Sequence, residues 1–331
     1  MRGATPEYYY PQRSDTMQPN SNNAEKKPAD RLLKSPGKRD RGPVNFKTKI
    51  AGYEGEIMAI ATKNVVTAQR TTTIIQAVEI MTREGFRRLP LIDPGTHRLR
   101  GIVTVSDIID FMGGGDKFNL VQVKHGGNFL AAINEELREI MTSQPVAMPV
   151  TGSIADAVDI IINRNVGGLP ITDAEGTLKG IVTERDVMKV LATEHSGRKV
   201  EDVMRSSVRV TSPDTPIGSV CREMVTCRFR RLPVVVDDVL CGIVTATDIM
   251  SYLGKGRAFE QLTTGDSAEV MGAPVRSLLS GELYTTTPDR NIHEIAVDMI
   301  KKRVGAFPVI EDSHLVGLVT EYDLVKAFAE G

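Results

Sequence analysis

Four times along the chain a Gly-Ile-Val-Thr or Gly-Leu-Val-Thr run has an aspartate three residues after its threonine: Thr104 and Asp107, Thr183 and Asp186, Thr245 and Asp248, Thr320 and Asp323. An ionised carboxylate only accepts hydrogen bonds, so it suits a diol such as the hydroxyls of a ribose. The same spacing is a helix capping box, which needs no ligand, although a box prefers Glu or Gln where all four copies here carry Asp. Two copies add Arg87-Arg88 and Arg230-Arg231 immediately before a Leu-Pro, and the planar guanidinium fork matches phosphate oxygens. The other two copies place Gly167-Gly168 and Gly305-Ala306 there. Diol acceptors, cationic donors for phosphate and a small apolar slot for a purine are the three requirements of a nucleotide site.

These residues must be positioned by repeated elements. Each copy reads as an apolar run, a turn, a second apolar run and a helix that opens at the Thr-x-x-Asp, as in Arg87-Arg88-Leu89-Pro90-Leu91-Ile92 with Gly101-Ile102-Val103-Thr104. A helix start is a latent anion site through its unpaired N–H groups and its dipole. Upstream of each run lies an amphipathic stripe: Ile74, Ala77, Val78 and Met81; Ile154, Ala157, Val158 and Ile161; Ile217, Val220, Cys221 and Met224; Ile292, Ile295, Ala296 and Met299. Thr73 and Gln76 cap the first, and Val65-Val66-Thr67 reads as a short preceding strand. Each unit is then β-α-β-β-α, and at about sixty residues it is too small to bury a good core alone. The spacing of the prolines suggests a duplicated duplication, because Asp110–Phe118 after the first copy resembles Ser251–Phe259 after the third.

The pattern resembles the CBS repeat. Four in one chain resemble a pair of Bateman modules, as in the γ subunit of AMP-activated protein kinase and in archaeal four-CBS proteins. The resemblance implies an α/β (α+β) fold whose two modules form a disk with pseudo-two-fold symmetry, complete in one monomeric chain. On that frame residues 1–52 are a disordered basic tail, 53–112 the first repeat, 113–136 a connection, 137–193 the second repeat, 194–253 the third, 254–274 a connection and 275–331 the fourth.

The resemblance also implies ligand-binding roles. Arg88, Thr104, Ser106 and Asp107 would face Val146, Val166 and Gly167. Arg231, Thr245, Thr247 and Asp248 would face Tyr284, Val304 and Gly305. Two further sites would rest on Thr183 with Asp186 and on Thr320 with Asp323. Arg185 takes the place of a cation in the family's phosphate centre, whereas Tyr322 fills that place in the fourth repeat; Arg87 and Arg230 add charge or face solvent. The expected ligand is AMP, ADP or ATP, bound by a non-catalytic, energy-sensing regulatory protein acting on a protein partner. Two alternatives stay open, an S-adenosylmethionine-type ligand and a nucleic-acid-binding regulator.

Composition narrows the rest. Hydrophobic residues make up 41% of 331, as in ordinary globular proteins. No apolar run has the ~18 residues of a spanning helix, and the start lacks a signal-peptide core, so a cytoplasmic, membrane-free protein is expected. Cys221, Cys227 and Cys241 fall in apolar patterns and read as reduced packing residues, and the five histidines show no metal-ligand spacing. Residues 1–49 hold eleven Lys or Arg against five acids, so a basic tail precedes a mildly acidic body. That tail could contact nucleic acid, and Tyr8-Tyr9-Tyr10 could anchor a partner. Outside the repeats no stretch carries a P-loop or a Ser/His/Asp set, which argues against an enzyme.

Overall fold

The computed structural model describes residues 56–192, 197–260, 262–279 and 282–330. The tail and residues 193–196 of the inter-module junction lie outside these. All four repeats fall in one compact unit.

The first repeat comprises α1 (Ile74–Glu84), β1 (Arg88–Ile92), β2 (Leu99–Thr104) and α2 (Val105–Ile109). The second has α3 (Ile154–Arg164), β3 (Gly168–Thr172), β4 (Leu178–Thr183) and α4 (Glu184–Leu191). In the third are α5 (Ile217–Thr226), β5 (Arg231–Val236), β6 (Val239–Thr245) and α6 (Ala246–Gly254). The fourth closes the chain with α7 (Ile292–Lys302), β7 (Ala306–Glu311), β8 (His314–Thr320) and α8 (Glu321–Glu330). Helix α1 starts where Thr73 and Gln76 exchange hydrogen bonds as a capping box, and its stripe residues Ile74, Ala77, Val78 and Met81 are fully buried. The other three stripes are buried alike.

One element differs from expectation. The first strand is not Val65–Thr67; it shrinks to a single parallel bridge between Ala68 and Leu91. Before it the Val65 N–H bonds the Lys63 carbonyl in a tight turn, and immediately after it the Gln69 N–H bonds the Thr72 hydroxyl, so the chain turns on both sides of the bridge. The equivalent pairing in the second repeat is two residues long, Met148–Pro149 against Ile171–Thr172.

The apolar cores run across the halves of the chain. One cluster joins the first repeat to the third, and a second joins the second repeat to the fourth. In the first, helix ends approach closely: a Cβ on Gly254 would lie 2.3 Å from Thr82 Oγ1, and one on Gly114 would lie 2.4 Å from Val225 Cγ2. The two long connections also meet, through a bridge between Asn128 and Asp266 and a 3.0 Å hydrogen bond from Gln122 to Ser267. Between the first and second repeats the links are backbone bridges at the sheet edges instead, Thr62 with Ile181 and Ile102 with Thr142. Arg205 with Leu318 links the third and fourth in the same way.

Candidate functional site

Hairpin register sets the site. Antiparallel pairing puts Arg88 opposite Thr104 and Arg231 opposite Thr245, with Gly168 facing Thr183 and Ala306 facing Thr320. In every repeat the threonine ends the second strand and the aspartate closes a capping box on the helix that follows. One carboxylate oxygen, Oδ2, accepts from the threonine hydroxyl at 2.7 Å for Asp107, Asp186 and Asp248 and at 2.6 Å for Asp323. The same oxygen accepts from the threonine backbone N–H. Capping and ligand binding therefore do not compete, because only Oδ1 is left to meet a diol.

The fate of Oδ1 separates the four copies. Lys117, from the first connection, donates to Oδ1 of Asp107. Lys189 reaches that of Asp186 at 3.2 Å, and Arg205 that of Asp323 at 3.1 Å. Asp248 Oδ1 has no partner among the described residues. Burial pushes the Asp248 carboxyl above its usual range, against the opposing pull of its bonds from Thr245.

A cavity of about 660 Å³ opens between the repeats. Its lining includes the half-buried Arg87, Arg88, Arg230 and Arg231 and the exposed Arg164, Arg205, Arg209 and Arg228. Against these eight arginines stand four acids, Asp107, Asp110, Glu184 and Glu321, so the cavity is strongly cationic. Burial lowers the Arg88 and Arg231 guanidiniums to about 10, since each is desolvated beside like charges. Burial opposes charge on Arg87 too, but Glu321 outweighs it and holds that group above its ordinary value. An anion entering beside Arg88 or Arg231 would relieve this cost.

Small residues make the approach possible. A Cβ on Gly167 would lie 2.5 Å from Arg88 Nη2 and 2.8 Å from Arg230 Nη1. Gly305 is the counterpart, with Arg231 Nη2 at 3.1 Å and Arg87 Nη1 at 3.3 Å from its would-be Cβ. Arg231 additionally donates to the Gly305 carbonyl.

The structure gathers the expected residues unequally. Arg88, Thr104, Ser106 and Asp107 line the large cavity together with Val146, Val166 and Gly167, which come from the facing repeat. Arg87, Arg230, Arg231, Gly305 and Thr320 line it as well. A second cavity of about 230 Å³ is lined by Thr183, Arg185 and Asp186, with Val65, Val66 and Phe86 as its apolar wall. Thr245, Thr247, Asp248, Tyr284, Val304 and Asp323 line neither. Tyr284 stacks edge-on against Phe307 and lies 4.2 Å from the Lys302 ammonium, and the Val304 carbonyl accepts from Arg185 at 3.1 Å.

Two residues without an assigned role in the motif stand at the centre. Glu184 and Glu321 are 3% and 2% exposed and line both cavities. Glu321 accepts from Arg87 at 3.0 Å and from Arg185 at 2.7 Å, and Glu184 accepts from Arg230 at 3.3 Å. The signal was present as a charge alternation: an acid follows the threonine where the Arg pair is missing, and Val105 or Ala246 follows it where the pair is present. Among the described residues no group of three or more His, Cys, Asp or Glu is placed to hold a metal ion, and no helix is long and apolar enough to cross a membrane.

Comparison with known proteins matches the CBS domain family model to residues 56–114, 137–193, 200–255 and 275–330. The uncharacterized protein MJ1225 of Methanocaldococcus jannaschii is 38% identical over 276 residues, covering 82% of this chain and 99% of that protein. Its crystal structure, described as that of a proposed archaeal homologue of γ-AMPK, superposes with a TM-score of 0.79 over 82% of this chain and 99% of that chain, at 37% identity. An uncharacterized 33.4 kDa protein of Thermofilum pendens is 28% identical over 256 residues, covering 77% of this chain and 85% of its own. A Pyrococcus horikoshii structure, at 19% identity and a TM-score of 0.52 over 82% of this chain and 99% of that one, shares the fold.

Proposed function

Because the chain belongs to the CBS domain family and carries four of its repeats, we propose that it is a non-catalytic regulatory protein that binds an adenine nucleotide between paired repeats. One observation carries this reading. All seven residues expected to form the site on Asp107 line one cavity: Arg88, Thr104, Ser106 and Asp107 on one side, Val146, Val166 and Gly167 on the other. The carboxylate takes the ribose hydroxyls through Oδ1, with Lys117 moving aside or sharing that oxygen. The phosphate meets Arg88 and the start of α2, and the purine enters the slot between Val146 and Val166. The site on Asp186 uses the smaller cavity, with Arg185 as its cation.

Phosphate is favoured over a sulfonium ligand because eight arginines face four acids around the larger cavity. An S-adenosyl cation would leave that surplus unopposed. Regulation follows from linkage: the nucleotide shifts the protein toward whichever arrangement of repeats binds it more tightly, and a protein partner reads that arrangement.

Calorimetric titration of the full chain with AMP, ADP, ATP, adenosine and S-adenosylmethionine tests the proposal. Nucleotide binding that exceeds adenosine binding supports it. No binding of any adenine nucleotide at millimolar concentration, or tighter binding of S-adenosylmethionine than of AMP, refutes it.

A further inference from the structure

The geometry points to Glu184 and Glu321 as the residues that set how many phosphates the nucleotide carries, an inference that rests on the nucleotide reading above. Both are buried carboxylates at the first position of a helix, α4 and α8. The fold does not require an acid there, since Val105 and Ala246 occupy the same position in α2 and α6. What they face is specific: Glu321 of the fourth repeat grips Arg87 of the first, and Glu184 of the second repeat grips Arg230 of the third. Each glutamate thus holds the first arginine of a pair whose second arginine, Arg88 or Arg231, remains without a carboxylate partner among the described residues.

Charge counting gives the consequence. Five guanidiniums meet at this seam, Arg87, Arg88, Arg185, Arg230 and Arg231, and two carboxylates subtract from them, leaving a surplus of three. A nucleoside monophosphate brings close to two negative charges and a triphosphate about four. One phosphate meets Arg88 while Glu321 and Glu184 keep their pairs with Arg87 and Arg230. A second and third extend toward Arg87 and Arg230, where they must either displace Glu321 and Glu184 or lie against them in a poorly solvated cavity. The two carboxylates therefore oppose the longer phosphate chain and bias the centre toward the monophosphate.

The two are not equal in grip. Glu321 is clamped by both Arg87 and Arg185, with oxygen-to-nitrogen distances of 3.0 and 2.6 Å, while Glu184 has one cationic partner among the described residues, at 3.3 Å. Tyr322 stands where a second clamp for Glu184 would have been, in the position equivalent to Arg185. Glu184 is thus the carboxylate that yields first to an incoming phosphate.

Affinities for AMP, ATP and adenosine are measured on the full chain and on Glu184→Gln, Glu321→Gln and the double variant Arg87→Gln/Glu321→Gln. Removing one carboxylate charge several ångströms from the added phosphates is expected to raise the ATP-to-AMP affinity ratio by roughly tenfold. The double variant restores the parent's charge count and is expected to return the ratio toward the parental value. Singles that bind AMP with an unchanged ratio overturn the inference, as does a double variant that keeps the ratio of the single, because the effect is then one of local geometry. Should Glu321→Gln fail to fold, Glu184→Gln carries the test alone. A parent chain that binds no nucleotide refutes both this inference and the function beneath it, whereas a parent that binds with an unmoved ratio in the variants refutes this inference only.

Discussion

Replacing Asp107 and Asp248 by asparagine separates the two tasks of the motif. Asparagine keeps an acceptor for the threonine N–H and hydroxyl, so the cap survives in both variants. The neighbours of Oδ1 differ. At Asp107 the substitution strands the Lys117 ammonium, whose side chain is 25% exposed beside a carboxylate 10% exposed. That lies between the ~3–5 kcal/mol for breaking a fully buried pair and the ~0–1 kcal/mol of a surface one, so a loss of about 1–3 kcal/mol is expected. At Asp248 burial opposes the charge, Oδ1 has no hydrogen-bonded cation among the described residues and only the more distant charge of Lys255 offsets it, so asparagine removes a penalty. The net change there should stay within about 1 kcal/mol of zero, allowing for a somewhat weaker cap. Since 1 kcal/mol moves the midpoint by about 1.5–2 °C for a chain of this size, thermal unfolding without ligand should separate the variants by a few degrees, with Asp107→Asn lower. Equal destabilisation of the two would refute the assignment of Lys117 as the deciding partner.

Other outcomes follow from the same geometry. Arg88→Ala should weaken AMP, ADP and ATP by roughly ten- to a hundredfold while leaving adenosine nearly as before, since charge-assisted bonds contribute about 1.5–3 kcal/mol; titration of all four ligands checks this. Gly254→Val should destabilise by at least about 1–3 kcal/mol in urea unfolding, because its Cβ would lie 2.3 Å from Thr82 Oγ1 in a packed helix contact. For pH, the Glu321 carboxyl is subject to burial, which would raise it, but Arg87 and Arg185 reverse the effect and hold it below its ordinary 4.5. Its stabilisation is therefore complete above pH 4.5 and is lost as pH falls through the lowered value, so Glu321→Gln should flatten the acid limb of the stability curve. Finally, AMP at a hundredfold excess over its dissociation constant should add about 2.7 kcal/mol of stability, visible as a raised thermal midpoint.

Much of this was legible in the sequence, and the exceptions have physical reasons. Periodicity located all four stripes because an amphipathic helix must bury one face whatever it packs on, and Thr73 with Gln76 marked a helix start by local chemistry alone. The Asp107 set came together because Arg88 and Thr104 are register partners in one hairpin. What the pattern missed depended on local turns or on distant neighbours. Val65–Thr67 looked extended, yet turns on both sides flank a ladder of one bridge. Tyr284, placed in a purine slot by the resemblance, meets Phe307 edge-on and the Lys302 ammonium, contacts no local pattern announces. Glu184 and Glu321 were hidden in plain view, since an acid in a helix's first turn is ordinary until its partner arginine is seen to come from another repeat.

The crossing of the two apolar cores bears on how the chain is made. As it leaves the ribosome, the first repeat can cover only part of the buried face of α1 with its own strands until the third repeat, whose Ile217, Val220 and Met224 share its cluster, has been synthesised. At about 5–20 residues per second, that is a wait of roughly ten seconds or more with a greasy helix uncovered. A transcript cut short after the second repeat would release a half-protein whose most natural remedy is another copy of itself. The four-repeat chain carries both partners on its own thread, so the pairing of the first repeat with the third is intramolecular.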